Sequence, residues 1–492
     1  MSWDSQVASF DVELPADATP HDAARAVDQV VARHQGLRST ITAHPDGPRQ
    51  QLHPMVEGTV TALSRPPDAE ARQPMQLASQ WPVAAYAWRD QDGGTRLQVQ
   101  VHRCLIDHDS AELLRAELAQ AVLGQPLDQP ARQPLGVAGY ESSAAAQQRS
   151  QASHDYWLSC LRAAPAQLFT SGRPPQPDDQ RFRITSRSAA ARTLTRQLAA
   201  DCRVTESMVL MALSVLALSM AAGSSELAVS VITANRIRPE SRGALLAMTG
   251  RGVLGLRVDP EQSFQSWTRL VGARTLEAYR HAYADPNAMY RAVARATIER
   301  GGQLQRLPIL NVLTGRAHLP DGPDGELSTV RQPGGLDGSY LRVRLAPEAV
   351  ELELLGGEQA LSLTDGEAVP RHLFDLLNAA GQTGVGVGLG ALCAMLPSAG
   401  CWSARPAPER PAELPVAIRP GTAAAHDLVA AIVAAHSELD PADVDLALPY
   451  TVTGGRIEQI PLVLAALRSA GRPLPSISAL LGADPLISLA ET

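Results

Sequence analysis

The chain has 492 residues and is 45% hydrophobic, which predicts a soluble globular protein of about two to four domains. Its formal net charge of -8, without a cluster of basic residues, argues against a nucleic-acid role. No apolar run is long enough to cross a membrane, the first residues form no signal region, and the five cysteines are scattered. We therefore expect a cytoplasmic protein without disulfides, bound metal or an intrinsic cofactor.

The first forty residues predict a strand followed by a capped helix. Val7 to Leu14 alternates between apolar and polar residues, as a half-buried strand does. Thr19 and Pro20 are typical of the cap and the first position of a helix. The apolar residues from Ala23 to Val31 fall on one face, and Gly36 is expected to end the helix.

A strand, a polar loop and a helix follow farther along the chain. The stretch Leu97–Val101 alternates between apolar and polar residues, and so does the preceding run Val83–Trp88, so the two are predicted to pair. After the loop, Asp109 and Glu112 have the spacing of a capping box. Because such a frame would hold a reactive side chain rigidly, the loop His102–Ser110 is the candidate site.

This loop resembles the HHxxxDG loop of nonribosomal peptide synthetase condensation domains and their acyltransferase relatives. His102 takes the place of the first His, Arg103 that of the second His, Asp107 that of the Asp, and His108 that of the Gly. That family uses the second His as a base or positioning group, and its first His is normally structural. The resemblance therefore implies a site whose central base has been replaced by arginine.

Residues 26–40 resemble the opening of a condensation domain, which reads like ALxxLVARHExLRTxF. In that family the Arg of this segment pairs with the Asp of the catalytic loop. The resemblance therefore implies an ion pair between Arg38 and Asp107. The pair would fix the loop, because a buried carboxylate without a partner is costly.

Further stretches resemble the crossover and the second lobe of the family. The helix around Tyr156 and Trp157 is similar to the one that leads from one lobe to the other, and we place the lobe boundary at residue 172, before a Pro-rich loop. The second lobe is indicated by an apolar helix, a buried strand and an ANRxRPE segment, at residues 208–222, 227–231 and 234–240. Thr205 is predicted to start this helix.

The channel positions of the family differ in this chain. Where the family has a Gly-Phe-Phe-Val-Asn run, this chain has Met248-Thr249-Gly250-Arg251-Gly252, which adds a cation. By resemblance, the channel residues here are Gly250, Arg251, Asn235 and Arg236.

The later part of the chain predicts the end of the second lobe and a linker. Strands within Leu341–Leu355 and a helix from Arg371 to Ala380 are expected to close the lobe. Residues 384–391 have GxGxxA spacing but follow a helix, which favours a connection or a glycine-rich strand over a dinucleotide site. Several prolines make residues 403–420 a stiff linker.

Residues 421–492 resemble a peptidyl carrier domain, whose pattern is LGGDS, a helix, a Gly and PTIxxLA. The order of these pieces is kept, but Arg456 stands for the Asp and Ile457 for the Ser. No hydroxyl is left at that position to carry phosphopantetheine. A small helical appendage unrelated to carriers is the alternative.

The predicted fold class is α/β, with two chloramphenicol-acetyltransferase-like lobes in a V and a small helical domain. The lobes are residues 1–172 and 173–402, followed by the linker and by the degenerate carrier-like domain, residues 421–492. In the family the two lobes enclose a tunnel, to which carrier proteins deliver a donor thioester and an amine acceptor.

The changed residues limit the chemistry of the site. General acid–base help contributes about 10²–10⁴-fold to a rate, and Arg103 cannot supply it because its guanidinium stays protonated. Arginine can bind a carboxylate or phosphate, or stabilise an oxyanion. His108 is either a solvated loop residue or a substituted active-site group, and strand parity sets His102 and Arg103 on opposite sides. A metal site in the loop is disfavoured.

Two functions remain open. The joint change of Arg103, of the channel run and of Ile457 favours a recruitment or gating protein of nonribosomal peptide assembly. Such a protein would bind carrier-tethered intermediates or tailoring enzymes without forming amide bonds, as relatives with HR in place of HH do. The alternative is an acyltransferase or cyclase acting on a carrier-bound thioester, in which Arg103 or Arg251 holds an anion and His108 moves protons. In both cases phosphopantetheine arrives on partner carrier proteins.

Overall fold

The structure is a computed structural model of the chain. The described residues are 7–42, 49–54, 60–62, 75–128, 132–169, 171–172, 179–236, 243–300, 304, 306–314, 324–334, 336, 338–396, 425–437, 439–448, 450, 453, 455, 459–472, 480 and 485–486. The chain divides into unit 1, which comprises Met1–Gln147 and Ala234–Gly250, and unit 2, which comprises Gln148–Thr233 and Arg251–Thr492.

Unit 1 is built on a mixed sheet with helices. Its described strands are β1 (Val7–Val12), β2 (Ser39–Thr42), β3 (Arg49–Leu52), β4 (Val60–Ala62), β5 (Val83–Arg89) and β6 (Thr95–His102). Its described helices are α1 (Pro20–Arg33), α2 (His108–Val122) and α3 (Pro134–Glu141), and α4 (Ala144–Ala163) continues into unit 2. The sheet order is β1-β6-β5-β4, while β2 and β3 form a hairpin. Because β1 and β5 flank β6 antiparallel to it, the candidate loop leaves the sheet from an inner strand.

Helix α1 begins as predicted. The Thr19 side chain accepts a hydrogen bond from the backbone of Asp22, and the Asp22 carboxylate accepts one from the Thr19 backbone, which completes a capping box. Its apolar face is buried in the core of unit 1. The helix ends at Arg33, before the predicted Gly36, because Gln35–Arg38 forms a 3-10 turn.

A buried cluster of charged side chains joins α1 to α2. The Glu117 carboxylate of α2 is 6% exposed and lies 2.5 Å from His34 Nε2 and 3.2 Å from Arg33 Nε. This cluster holds α1 beside the helix that follows the candidate loop.

Unit 2 contains a larger mixed sheet, whose described order is β11-β7-β13-β12-β10-β8-β9. These strands are β7 (Gln180–Ser188), β8 (Glu226–Thr233), β9 (Gly250–Arg257), β10 (Ile309–Thr314), β11 (Leu327–Pro333), β12 (Tyr340–Leu345) and β13 (Val350–Gly357). The helices described with it are α5 (Ala189–Cys202), α6 (Glu206–Ala222), α7 (Phe264–Arg280), α8 (Pro286–Arg300), α9 (Leu363–Thr383) and α10 (Leu389–Ala394).

Helix α6 lies at the centre of the unit 2 core. Thr205 caps its start, as predicted, and Gly223 ends it with a left-handed φ of 65°. Every residue from Val209 to Ala222 is buried, which suits a helix that is apolar on all sides. Among the described helices none is by itself long and apolar enough to cross a membrane, and α5 and α6 reach that criterion only as a pair bent by 102°.

The later elements match the prediction with shifted ends. Strands β12 and β13 pair antiparallel, as the alternation in this stretch predicted. Helix α9 begins at Leu363, earlier than the predicted Arg371, because Ser362 caps it and Pro370 lies inside the helix. The glycine-rich stretch connects α9 to α10, with the carbonyls of Val385 and Val387 accepting hydrogen bonds from the start of α7.

The last part of the chain contributes α11 (Ala425–Ser437) and α12 (Ile460–Ser469), which share an apolar core. Helix α12 also packs along α8. The predicted linker, residues 403–420, lies outside the described residues.

The division into units differs from the predicted lobe boundary at residue 172. The chain first passes from unit 1 to unit 2 inside α4, after Gln147, and the segment Ala234–Gly250 then returns to unit 1. This segment is joined to the start of α2 by side-chain hydrogen bonds, which sequence spacing does not reveal.

Candidate functional site

The candidate site is the loop between β6 and α2. The backbone N–H of His102 donates to the carbonyl of Pro82 at 2.9 Å, and the His102 carbonyl accepts from the N–H of Leu105 at 3.1 Å. Leu105 and Ile106 are buried in the core of unit 1. The loop is therefore attached to the sheet at its start and to the core at its centre.

Asp107 attaches the end of the loop. Its Oδ1 accepts from the backbone N–H of Ser110 (2.9 Å) and from Arg236 Nη2 (2.8 Å). Its Oδ2 accepts from the backbone N–H groups of Met248 (2.9 Å) and Thr249 (3.1 Å) and from the Thr249 hydroxyl (3.3 Å). Burial alone would raise the pKa of this carboxyl, but the Ser110 hydrogen bond and the charge of Arg236 outweigh it, so the pKa lies below its usual value.

Asn235 and Arg236, two of the predicted channel residues, reach the same place. Asn235 has a left-handed φ of 53°, which asparagine tolerates, and its side-chain amide donates to the Met248 carbonyl at 2.9 Å. The Arg236 guanidinium is 10% exposed. At 2.7 to 2.9 Å it donates to Asp107 Oδ1, the Ser110 hydroxyl and the carbonyls of Ala244 and Leu246. Asp107, Asn235 and Arg236 thus form one bonded cluster within unit 1.

The structure does not contain the predicted ion pair between Arg38 and Asp107. Arg38 instead donates from Nη1 to the carbonyl of His53 at 2.5 Å, beyond the β2–β3 hairpin. Both oxygens of Asp107 are engaged by donors from α2 and from the returning segment, including Arg236, 129 positions away in the sequence. The buried carboxylate has the cationic partner that its burial requires, but not the one that the resemblance implied.

The start of α2 also differs from the prediction. Its N-cap is Asp107, whereas the sequence spacing indicated Asp109. Asp109 lies in the first turn with Oδ2 3.4 Å from Arg236 Nε, and Glu112 pairs with Arg115 instead of reaching back to the cap. The earlier cap follows from Asp107, whose burial beside Arg236 holds its carboxylate over the first turn.

His102 is completely buried. Its Nδ1 accepts a hydrogen bond from the backbone N–H of Cys104 at 3.2 Å, so the proton of the neutral ring is on Nε2. This arrangement agrees with the structural role implied for the first His of the motif.

Arg103 and His108 are both exposed on unit 1. Within the described part of the chain, neither side chain has a hydrogen bond or ion pair. Arg103 is able to bind an anion and His108 to exchange a proton, but no neighbouring side chain orients either group.

Gly250 and Arg251 lie at the start of β9, and Arg251 belongs to unit 2. Solvent reaches the Arg251 side chain, yet the surrounding protein and then the charge of Arg306 lower its pKa below the usual arginine value. A guanidinium stays protonated at neutral pH even when its pKa is lowered in this way, so Arg251 acts only as a cation.

Ser110 is a member of the cluster that the sequence did not single out. Its hydroxyl donates to the Leu246 carbonyl at 2.6 Å and accepts from the Leu246 N–H at 3.1 Å. The available signal was a serine three residues after an aspartate, where its backbone N–H donates to the carboxylate that caps the helix.

Some predicted residues are outside the described part of the chain. These are Arg456 and Ile457 of the carrier-like site and the end of the ANRxRPE segment, residues 237–240. Within the described ranges, no group of three or more His, Cys, Asp or Glu side chains is placed to hold a metal ion.

Comparison with known sequences gives a match to one family. The sequence model described as "Condensation domain" matches residues 9–303. N-(5-amino-5-carboxypentanoyl)-L-cysteinyl-D-valine synthase of Amycolatopsis lactamdurans is 28% identical over 281 residues, which are 52% of this chain and 8% of that protein. The chain therefore spans less than a tenth of the length of this relative.

Comparison with solved structures gives the fold. The structure that describes condensation domain-mediated chain release from the enacyloxin polyketide synthase has a TM-score of 0.61 at 20% identity, over 76% of this chain and 78% of that one. The X-domain from teicoplanin biosynthesis has a TM-score of 0.59 at 16% identity, over 78% of this chain and 92% of that one. These matches confirm the predicted α/β fold of the chloramphenicol-acetyltransferase type.

Proposed function

Because this chain belongs to the condensation-domain family, we propose that it works in nonribosomal peptide or polyketide assembly without forming amide bonds. It binds intermediates tethered to carrier proteins, or the tailoring enzymes that modify them. The observation that carries this proposal is that the frame of the family's loop is kept while the loop has no oriented proton acceptor.

The proton acceptors of the loop that are held in place are already used, and the exposed imidazole of His108 is not held by a neighbouring side chain that the structure describes. His102 is buried and its Nδ1 accepts from the Cys104 N–H. Both Asp107 oxygens accept hydrogen bonds from neighbouring donors, and a guanidinium at Arg103 has no acceptor. A general base must lie within hydrogen-bonding reach of the proton it removes and be held there, so the loop lacks the main requirement for condensation.

What the loop does present is an exposed cation on a backbone that is held in place. Arg103 is exposed at a point where the strand, the core contacts and the Asp107 cluster hold the backbone. A guanidinium in such a place binds a carboxylate or a phosphate. A phosphate occurs on every intermediate tethered through phosphopantetheine, because that arm is attached to the carrier by a phosphodiester.

The carriers come from other proteins or from other parts of a larger assembly. The matched synthase is far longer than this chain, which covers 8% of it. In this chain the position that resembles the carrier serine is Ile457, which has no hydroxyl to be modified.

One observation favours a second function. His108 is exposed in the same loop as Arg103, and its imidazole is able to move a proton. In this alternative the chain is an acyltransferase or cyclase that acts on a carrier-bound thioester, with Arg103 holding the anionic group and His108 moving the proton.

A single-turnover assay separates the two functions. The purified chain is mixed with carrier proteins loaded with aminoacyl or peptidyl thioesters, and the intact carrier mass is followed together with carrier binding, for wild type, Arg103→Ala and His108→Ala. The proposal expects no transfer in any of these proteins, binding that weakens in Arg103→Ala, and binding that is unchanged in His108→Ala. Transfer by the wild type that is lost in His108→Ala would replace the proposal by the enzyme.

A gain-of-function variant sharpens this assay. Arg103→His restores the residue type of the family at this exposed position. If the missing base is the main defect, this variant transfers more than the wild type, whereas Arg115→His, a change of the same type outside the candidate loop, does not.

A further inference from the structure

Helix α12 is covered on two sides. Val463, Leu464 and Leu467 belong to the core that α12 shares with α11. Leu462 and Ala465 point the other way, since residues three apart share a face of a helix. They lie outside that core, yet they are only 9% and 4% exposed.

Helix α8 is the element that lies along α12. Helix α8 is also joined to α4: its Ala288, Ala292 and Ala296 are fully buried in one apolar cluster with Trp157 and Leu161 of α4. Helix α8 is therefore joined to α4 and also covered by α12.

We propose that α12 is a docking helix that holds the C-terminal helical domain on α8, so that this domain is a fixed cover and not a mobile arm. The surface of α8 beside α12 is thus covered by a segment of the same chain, which contains Leu462 and Ala465.

The contact is small enough to be reversible. Among the described side chains of α12, Leu462 and Ala465 are the buried ones outside the core shared with α11, and two apolar side chains bury far less surface than a stable interface between separate proteins, which needs about 1,200 Å² or more. Attachment through the chain raises the local concentration of the domain to about the millimolar range, and this is sufficient to keep a weak contact closed. One charge in the contact is therefore enough to open it.

A fixed cover has consequences for the partners of the chain. While α12 is docked, another protein has to displace it in order to reach this side of α8. A docked domain also cannot deliver an intermediate by swinging. The inference does not depend on the proposed function, because the position of α12 is the same whether or not the loop at Arg103 catalyses a reaction.

Hydrogen–deuterium exchange on the full chain tests the docking. The variant Ala465→Glu puts a charge into the contact, and Ala435→Glu makes the same change at an exposed position of α11. We expect Ala465→Glu to raise the exchange of α8 by about tenfold or more, while the buried part of α11, Val429–Ala434, keeps its protection. Ala435→Glu is expected to change neither. Unchanged exchange of α8 in Ala465→Glu would overturn the proposal.

A second measurement keeps the test independent of the folding of the variant. A photo-crosslinking amino acid at Ser469, an exposed position one turn after Ala465, leaves the contact residues unchanged. The proposal expects crosslinks from this position to α8 and none to α8 from the same group at Ala435. Crosslinks from Ser469 to other parts of the chain without α8 would refute the docking.

Discussion

The substitution Asp107→Ala is the most direct test of how the candidate loop is held. It removes a side chain that caps α2, pairs with Arg236 and accepts from the backbone of Met248 and Thr249. We expect it to destabilise unit 1 and to release the segment that contains Met248 and Thr249 from the start of α2.

The size of the effect follows from burial. The side chains of Asp107 and Arg236 are 6% and 10% exposed and their charged atoms are 2.8 Å apart. Removing one partner of a buried ion pair costs about 3–5 kcal/mol. The loss of a helix cap costs roughly 0.5–2 kcal/mol, and we count it within that range instead of adding it. Arg236 keeps its carbonyl acceptors and a longer contact to Asp109, so we expect the lower end, about 3 kcal/mol.

Urea unfolding combined with hydrogen exchange measures this loss. Asp109→Ala is the matched control, because the Asp109 side chain is 45% exposed and lies 3.4 Å from the same arginine. An exposed ion pair contributes less than about 1 kcal/mol. Equal losses in Asp107→Ala and Asp109→Ala, or no change in the exchange of residues 244–249, would contradict the bonded cluster described above.

The pH dependence of stability provides a further test of the Asp107–Arg236 pair, with an expected direction. The pKa of Asp107 is lowered in the folded chain, relative to about 3.9 for an unfolded aspartate. Its contribution to stability is therefore complete above about pH 4 and is lost as the pH falls through the folded pKa. The stability difference between wild type and Asp107→Ala is expected to shrink below about pH 4, and a difference that stayed constant would be evidence against this pairing.

Three further outcomes are expected. Glu117→Gln weakens the buried contact to His34 and lowers the free energy of unfolding by about 2 kcal/mol in urea titrations, whereas the exposed Glu112→Gln changes it by less than about 0.5 kcal/mol. Burial raises the pKa of the Cys104 thiol to about 11, so its alkylation rate keeps rising through about pH 10, and a plateau near pH 9 would be inconsistent with that burial. Incubation with coenzyme A and a phosphopantetheinyl transferase leaves the intact mass unchanged because Ile457 has no hydroxyl, and a mass gain would count against the degenerate carrier site.

The sequence by itself determined the elements whose signals are local. Thr19 and Thr205 predicted the starts of α1 and α6, and both accept the capping hydrogen bonds that those positions require. The alternation before the candidate loop predicted β5 and β6, which pair antiparallel. Such features depend on residues within a few positions of each other, so the spacing of residue types is sufficient to find them. The resemblance to condensation domains added the fold, which the solved structures confirm.

The tertiary structure decided which groups meet. Asp107 pairs with Arg236 and not with the predicted Arg38, because the segment Ala234–Gly250 returns to unit 1 and brings donors to both carboxylate oxygens of Asp107. Because of that pairing, the N-cap of α2 is Asp107 and not Asp109, which the sequence spacing indicated. The tertiary structure likewise determines that Arg103 is exposed and that the second face of α12 is buried. All of these features depend on contacts between residues that are far apart in the chain. In the folded protein several donors and apolar surfaces can reach the same group, and the order of residue types along the sequence does not show which of them does.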